Sequence, residues 1–562
     1  GDNGNDIIAL NGATIGGNIR GGNNDDTITL TSGTVGLHAD AGNGVDTIIL
    51  DGTAIINGTI FGGNDVDMIT LNSGTVNGHV NWGAGDESGT LDLSNVTLGG
   101  SLVFGDGTDI FTLTAGTVGT AVVLGVGSNV GTGADKFTLA GGTITGNIFG
   151  DADGDTINLN SGSVGGYIYG MDGADVIVLN GATANGKILG GNDVDTITLT
   201  SGTVNGDVDW GAGDESDTLD LSNVTLGNSL IFGDGADIFT LTNGTVGDSV
   251  YLGSAQNVGT GADKFTLAGG TITGGIYGDA DGDTINLNSG NIGGDVLAYD
   301  GDDVITVDGT ILGGDIDAGT GNDTINLLSG TINDVFAGIG DDTVTVSDNI
   351  TVAGLLDGGA GTDLLNTDIA TTSTLFQATN FDTLTKTNVG SLDIVGPGTS
   401  DFETVNVNGG TLNVLTPGAI NGVSSATVAS GASLNVTGPF DFTTGADSFT
   451  VAGTVTGTTT IDLLDGDDVL TVQDGANISS PVDGGLGSDT LVSDIATTAT
   501  LAQTLNFETL TKTNVGSLDI VGPGTSDFHT VNVNGGTLNV LTPGAINGVS
   551  TATVASGATL NV

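Results

Sequence analysis

The chain has 562 residues, with 67 Asp or Glu against 6 Lys or Arg and a formal charge of −61; a field of that sign repels nucleic acid and excludes it as a partner. Glycine fills 103 positions, aromatics are 4% of residues and proline occurs 6 times, so an ordinary globular core built around large rings is excluded as well. With 37% hydrophobic residues the chain is nonetheless too apolar for a disordered acidic tail, and it should fold.

Glu87, Glu215, Glu403 and Glu508 are the only glutamates, leaving 63 Asp. Asp forms turns and is a short-armed calcium ligand, whereas Glu favours helix, so the acids point to bends or metal and away from helix. Cysteine is absent, which rules out disulfides. No apolar run reaches the ~18 residues of a transmembrane helix. The opening Gly-Asp-Asn-Gly-Asn-Asp has neither the basic start nor the apolar stretch of a signal peptide, and we expect a piece of a longer protein.

In chain order, Asp-Thr-Ile-Thr-Leu stands at 26 to 30 and returns as Asp-Thr-Ile-Ile-Leu at 46, Asp-Met-Ile-Thr-Leu at 67, Asp-Thr-Ile-Asn-Leu at 155, Asp-Val-Ile-Val-Leu at 175 and Asp-Thr-Ile-Thr-Leu at 195. Consecutive copies lie 20 or 21 residues apart. Between them come a Ser/Gly-Gly turn, Thr-Val or Thr-Ile, an Asn-Gly or Gly-Gly corner and a further short apolar pair such as that at Ile19 or Val80. Each unit therefore reads as three short strands and three turns.

Within a strand the alternation has period 2, placing Ile28 and Leu30 on one face and Thr27 and Thr29 on the other. Twenty residues bury too little to fold alone, but stacked units lay Ile on Ile and Leu on Leu at the ~4.8 Å strand spacing. The predicted fold is all-β, a single-stranded parallel β-helix (β-solenoid) of 20 to 21 residues per coil. Roughly 25 such coils would make a rod of about 120 Å. Trp82, Trp210, Phe111, Phe137, Phe239 and Phe265 are expected to pack in this stack.

A longer repeat overlies the short one: residues 64–191 reappear at 192–319, offset by 128. A second block type runs over 358–483 and returns at 484–562, offset by 126, with Lys-Thr-Asn-Val-Gly-Ser-Leu-Asp-Ile-Val-Gly-Pro-Gly-Thr at 386 and again at 512. The expected organisation is a solenoid of Asp-x-Ile-x-Leu coils over 1–363, continuing as Thr/Val/Asn-rich coils over 364–562. The last copy stops short at Val562, and we expect the natural chain to continue.

Ahead of many strands stands a bend such as Ala318-Gly319-Thr320-Gly321-Asn322-Asp323, Gly358-Gly359-Ala360-Gly361-Thr362-Asp363 or Gly484-Gly485-Leu486-Gly487-Ser488-Asp489. This resembles the calcium-binding nonapeptide of RTX proteins, although it comes once per coil rather than in tandem pairs. The resemblance implies Ca2+ as a cofactor, held by Asp26, Asp46, Asp67, Asp155, Asp175, Asp195, Asp283, Asp303, Asp323, Asp342, Asp363 and Asp489. The alternative is that each Asp caps its own turn through backbone N–H groups without a metal.

Across nearly the whole length the repeat style also resembles the passenger domains of bacterial autotransporters. That likeness implies secretion to a cell surface, the Gram-negative outer surface in particular, and an adhesive, spacing or fibre-building role without enzymatic activity. Partners would be further copies in fibres or bundles, or a glycan or protein of a host or neighbouring cell. The other readings are a calcium-dependent RTX-like or surface-layer-like assembly protein and a glycan-active β-helix enzyme.

For catalysis the residues offer little. His79 is replaced by Asp207 one block on, and His529 stands where the preceding block has Glu403; positions that change chemistry between copies point to surface. Arg20 is the only arginine, and Lys136/Lys264 and Lys386/Lys512 are duplicates, leaving Lys187 as the one lysine without a copy. Acid pairs such as Asp86 with Glu87 and Asp214 with Glu215 are expected by chance among so many carboxylates. The long coils at 118–132 and 246–260 are the places for a protruding lateral loop.

Overall fold

The computed structural model describes every residue except 128, 397 and 523–525; the repeated Gly-Pro-Gly-Thr segments and the 118–132 coil fall partly outside the described residues. Among the described residues there are strands, bridges and turns and no helix. Internal contacts divide the chain into two compact units, Gly1–Gly282 and Asp283–Val562. Each is a parallel β-solenoid of roughly 20 residues per coil. The change of coil style at 363/364 falls inside the second unit, where Thr343–Ser347 pairs in register with Leu364–Asp368 and that strand with Phe381–Thr387.

In the first unit Ile8 lies beside Ile28, Ile28 beside Ile48 and Ile48 beside Ile69, with Leu10, Leu30, Leu50 and Leu71 in a parallel row. Ile28 and Ile48 are buried, as the period-2 pattern requires. A second inward row runs through Val35, Ile56 and Val76, and a third through Ile19, Ala39, Ile60 and Val80. These three rows close a narrow aliphatic core. Each fully buried Ile or Leu stabilises by about 1.5–3 kcal/mol relative to exposure, and stacking allows a coil to hide such residues although it has no core of its own.

The core widens where rings replace aliphatics. Phe104 stacks on Phe111 with centroids 4.1 Å apart, and Trp82 lies 4.6 Å from Phe111. One block on, Phe232 and Phe239 repeat the stack at 3.9 Å with Trp210 at 4.7 Å. Trp82 and Trp210 are 2% and 1% exposed, so both rings are core, as expected from the sequence.

Within the second unit one inward row runs through Ile305, Ile325, Val344, Leu365, Leu384, Val405 and Ala426 to Phe449, Leu470, Leu491 and Leu510. Lys386 and Lys512 also point inward and are fully buried. Lys386 Nζ donates to the backbone carbonyls of Thr387, Asn388 and Gly409, which satisfies the ammonium at a corner where carbonyls converge. Burial pushes both lysine pKa values down.

The bends that carry the Asp depart from strict glycine without losing their shape. Gly44 has φ of 117°, and its equivalents one coil away are Asn24 at 74° and Asp65 at 73°. Asn and Asp tolerate the left-handed region better than other side chains, so the missing glycines do not break the repeat.

Candidate metal centre

The twelve Asp singled out by the repeat all fold inward, between 0% and 7% exposed. Each ends a bend and precedes a strand, as Asp26 precedes Thr27–Val35 and Asp195 precedes Thr196–Val204. Asp155 caps its own bend, its Oδ2 accepting the N–H of Asp151 at 2.9 Å, but the bonds that recur along the row run between coils. The Asp26 N–H donates to Oδ1 of Asp46 at 2.6 Å, Asp46 N–H to Asp67 at 2.8 Å, Asp155 to Asp175 at 2.6 Å and Asp175 to Asp195 at 2.8 Å. In the second unit Asp283 donates to Asp303 at 2.7 Å, Asp303 to Asp323 at 2.8 Å, Asp323 to Asp342 at 2.7 Å and Asp342 to Asp363 at 2.9 Å. Further along, Asp468 donates to Asp489 at 2.9 Å. Each carboxylate thus takes the N–H of the acid one coil earlier, and the acids form a ladder.

Sequence reasoning missed several rungs. Glu87, Asp109, Asp135, Glu215, Asp237 and Asp263 continue the row in the first unit, and Asp447 and Asp468 belong to it in the second. Their spacing rises to 22 and 26 residues, and the strands that follow read Ile-Phe-Thr-Leu or Lys-Phe-Thr-Leu, so the Asp-x-Ile-x-Leu template passed over them. Asp382 and Glu508 accept the N–H groups of Asp363 and Asp489 and end these runs. The pair Asp86 and Glu87 is split by the bend: Glu87 is a buried rung, while Asp86 is exposed and takes the N–H of Thr108.

The second carboxylate oxygen decides what the ladder can do. Oδ2 of Asp26, Asp46, Asp67, Asp175, Asp195, Asp323, Asp342, Asp363 and Asp489 is buried and has no hydrogen-bond partner. A Cβ placed on Gly21, Gly62, Gly170 or Gly190 would come within 3.0 Å both of Oδ2 of Asp26, Asp67, Asp175 or Asp195 and of a carbonyl oxygen of the next coil, that of Ala41, Trp82, Gly190 or Trp210. At these four rungs a carboxylate and a carbonyl oxygen therefore lie beside the bare Cα of a glycine, whereas Ala41, Ala318 and Ala337 take the equivalent position before Asp46, Asp323 and Asp342. A buried carboxylate oxygen without a donor is stabilised by a proton or a cation.

Burial raises Asp46, Asp67, Asp155, Asp175, Asp195, Asp323, Asp342, Asp363 and Asp489, offset in part by the donated N–H and reinforced by neighbouring carboxylates. Asp67, Asp155, Asp195 and Asp323 are pushed up to about 7, Asp175 to about 8, and Asp363 and Asp489 to about 6. The protein supplies few cations of its own: among the described residues the ion pairs are Gly1 with Asp6, Arg20 with Asp40 and Lys187 with Asp207. The donor set, carboxylate plus backbone carbonyl, is that of a hard divalent ion such as Ca2+.

The histidines sit elsewhere. His38 Nδ1 accepts the N–H of Thr59 and His79 Nδ1 that of Ser101, and Asp207, the copy of His79, accepts that of Ser229. His79 and Asp207 are thus interchangeable acceptors for one corner.

No protein-family model matches the chain, and no curated protein does. Among solved structures, one described as a hyperactive, Ca2+-dependent, beta-helical antifreeze protein from an Antarctic bacterium is 19% identical, covering 61% of this chain and 80% of that one, with a TM-score of 0.21.

Proposed function

We propose that the chain is a non-enzymatic, exported solenoid with a mechanical role at a bacterial cell surface, and that its buried acid ladder takes up a row of Ca2+ ions. One observation carries the calcium part: at Asp26, Asp67, Asp175 and Asp195, Oδ1 accepts a backbone N–H while a partnerless Oδ2 and a carbonyl of the next coil both lie beside a glycine. Filling that space with a divalent ion would satisfy both oxygens and offset part of the −61 charge. Because the site needs two stacked coils, binding would be coupled to folding. Modules that work outside cells bind Ca2+ at roughly 10⁻⁴–10⁻³ M, so the ladder would fill after export, and a chain without cysteine threads through an export channel without disulfides to undo.

The mechanical part rests on regularity. A stack with one repeated wall suits an adhesin, a spacer or a subunit of fibres, and the autotransporter-like repeat style fits the Gram-negative outer surface. Circular dichroism with and without EDTA tests the calcium reading: chelation should lower the melting temperature of the β signal strongly, and an unchanged melt would remove it. Electron microscopy tests assembly, since filaments or bundles are expected with calcium and a strictly monomeric species at high concentration would contradict them.

A further inference from the structure

Asp151 is a buried acid outside the row of rungs. It is 0% exposed; its N–H donates to Oδ2 of the rung Asp155 at 2.9 Å, and its Oδ1 accepts the N–H of Asp153 at 2.9 Å. Its Oδ2 has no partner. That oxygen points at a lateral hairpin created by the 26-residue coil between Asp109 and Asp135, in which Gly127 and Val130 exchange backbone hydrogen bonds at 3.1 Å. A Cβ on Gly131 would come within 3.0 Å of Asp151 Oδ2, and one on Gly125 within 3.0 Å of the Val130 carbonyl oxygen and the Asp151 side chain. The rung Asp135, 1% exposed, also has a partnerless Oδ2, and the charges acting on it include Asp109, Asp151 and Asp155. Those acting on Asp151 include Asp106 and Asp153, and all are negative.

The arrangement is built twice. One block on, Asp279 is 0% exposed, and Cβ atoms on Gly253 and Gly259 would meet the Asp279 side chain and the Val258 carbonyl just as their copies do. Ala255 and Val258 form the matching hairpin. Carboxylate oxygens of Asp263 and Asp279 lie within 4.8 Å of each other, the span across an ion bound by oxygens at ~2.4 Å.

We propose that Asp151 with the rung Asp135 beside the segments paired at Gly127 and Val130, and Asp279 with the rung Asp263 beside those paired at Ala255 and Val258, form two lateral divalent-cation sites that share one rung each with the ladder and pin each hairpin to the coil wall. All the donors are oxygens, two carboxylates and the carbonyl of Val130 or Val258, which select Ca2+ over softer metals. Asp151 and Asp279 donate nothing to the ladder through their side chains, so these sites can fail while the ladder stands.

The test uses the full chain. Bound ⁴⁵Ca is counted by equilibrium dialysis for wild type, for Asp151→Asn with Asp279→Asn, and for Asp175→Asn with Asp195→Asn, alongside hydrogen exchange of the hairpin amides. Asn keeps the shape of a protonated acid. The Asp151/Asp279 variant should bind two fewer ions than wild type and lose protection at residues 127 and 130 and at 255 and 258 in calcium, while the Asp175/Asp195 variant should lose ladder ions and keep the hairpins protected. Gly131→Ala, which removes no charge, should cost one ion. An unchanged count and unchanged hairpin protection in the Asp151/Asp279 variant would overturn the proposal even if the ladder variant loses ions. Wild type binding no calcium would overturn both readings.

Discussion

Asp175 donates its backbone N–H to Oδ1 of Asp195, 2.8 Å away in the following coil, while Oδ2 of Asp195 reaches the space beside Gly190 and meets no donor. One carboxylate therefore does two jobs. One oxygen locks the register of adjacent coils, and the other is held ready for a charge the protein itself does not provide.

Gly190→Ala separates these jobs. The new methyl would crowd Asp195 Oδ2 and the Trp210 carbonyl, taking the place of an ion without touching the Asp175–Asp195 hydrogen bond. The variant should bind one Ca2+ fewer, and its melting temperature should fall more in calcium than in EDTA. Equal losses in the two conditions would mean that the glycine serves only close backbone approach.

Without metal, stability should fall as pH rises. Folding lifts Asp67, Asp155 and Asp195 to about 7, Asp175 to about 8 and Asp135 to about 9, against ~3.9 for Asp in an unfolded chain. The folded state then binds more protons than the unfolded one between about pH 4 and 9, so the contribution is complete below pH ~4 and is lost as pH climbs through the folded values. Melting temperatures in EDTA should decline from pH 5 to 9, and millimolar calcium should flatten or reverse the trend. A metal-free protein that grows more stable over that range would contradict the burial of these acids.

How much of this the sequence carried depends on the residue. Asp26, Asp46 and Asp195 were legible because the strand after each repeats at a fixed spacing and its Ile and Leu alternate inward. Asp109 and Asp135 were not, because the coil between them gains a hairpin and Phe111 and Phe137 replace Ile in the core row. The inter-coil hydrogen bonds were illegible in principle: local sequence cannot tell an N–H in the same bend from one twenty residues earlier that stacking brings to the same place. Lys386 lay in plain view, since the parity of Leu384 and Lys386 points both inward, but a lone ammonium in an aliphatic row runs against the usual cost of burying charge. The converging carbonyls that accept from it are visible only in three dimensions.

Lys386→Met keeps length and removes the donor. The carbonyls of Thr387, Asn388 and Gly409 then lose their shared partner, and the second unit should be destabilised locally by about 1–3 kcal/mol. Faster amide exchange confined to the neighbouring coils would show it. A stabilised variant would mean that desolvating the ammonium costs more than its hydrogen bonds return.

Phe265→Ala empties a site one coil on from Phe239, beside the stacked Phe232 and Phe239 rings. A loss of about 3–5 kcal/mol is expected there, and because coils contact only their neighbours the effect on exchange should fade within a few coils. Uniform weakening of the whole first unit would show more cooperativity than a stack of coils predicts.

The central claim is that metal ions occupy the row between Oδ2 and the facing carbonyls. Anomalous diffraction from crystals grown in millimolar calcium tests it most directly. The account predicts peaks beside Asp26, Asp67, Asp175 and Asp195, the rungs next to Gly21, Gly62, Gly170 and Gly190, with those of the adjacent coils at Asp175 and Asp195 ~4.8 Å apart. Well-ordered density with no anomalous peak at any of these rungs, each Oδ2 hydrogen-bonded to its carbonyl as a protonated acid, would contradict it.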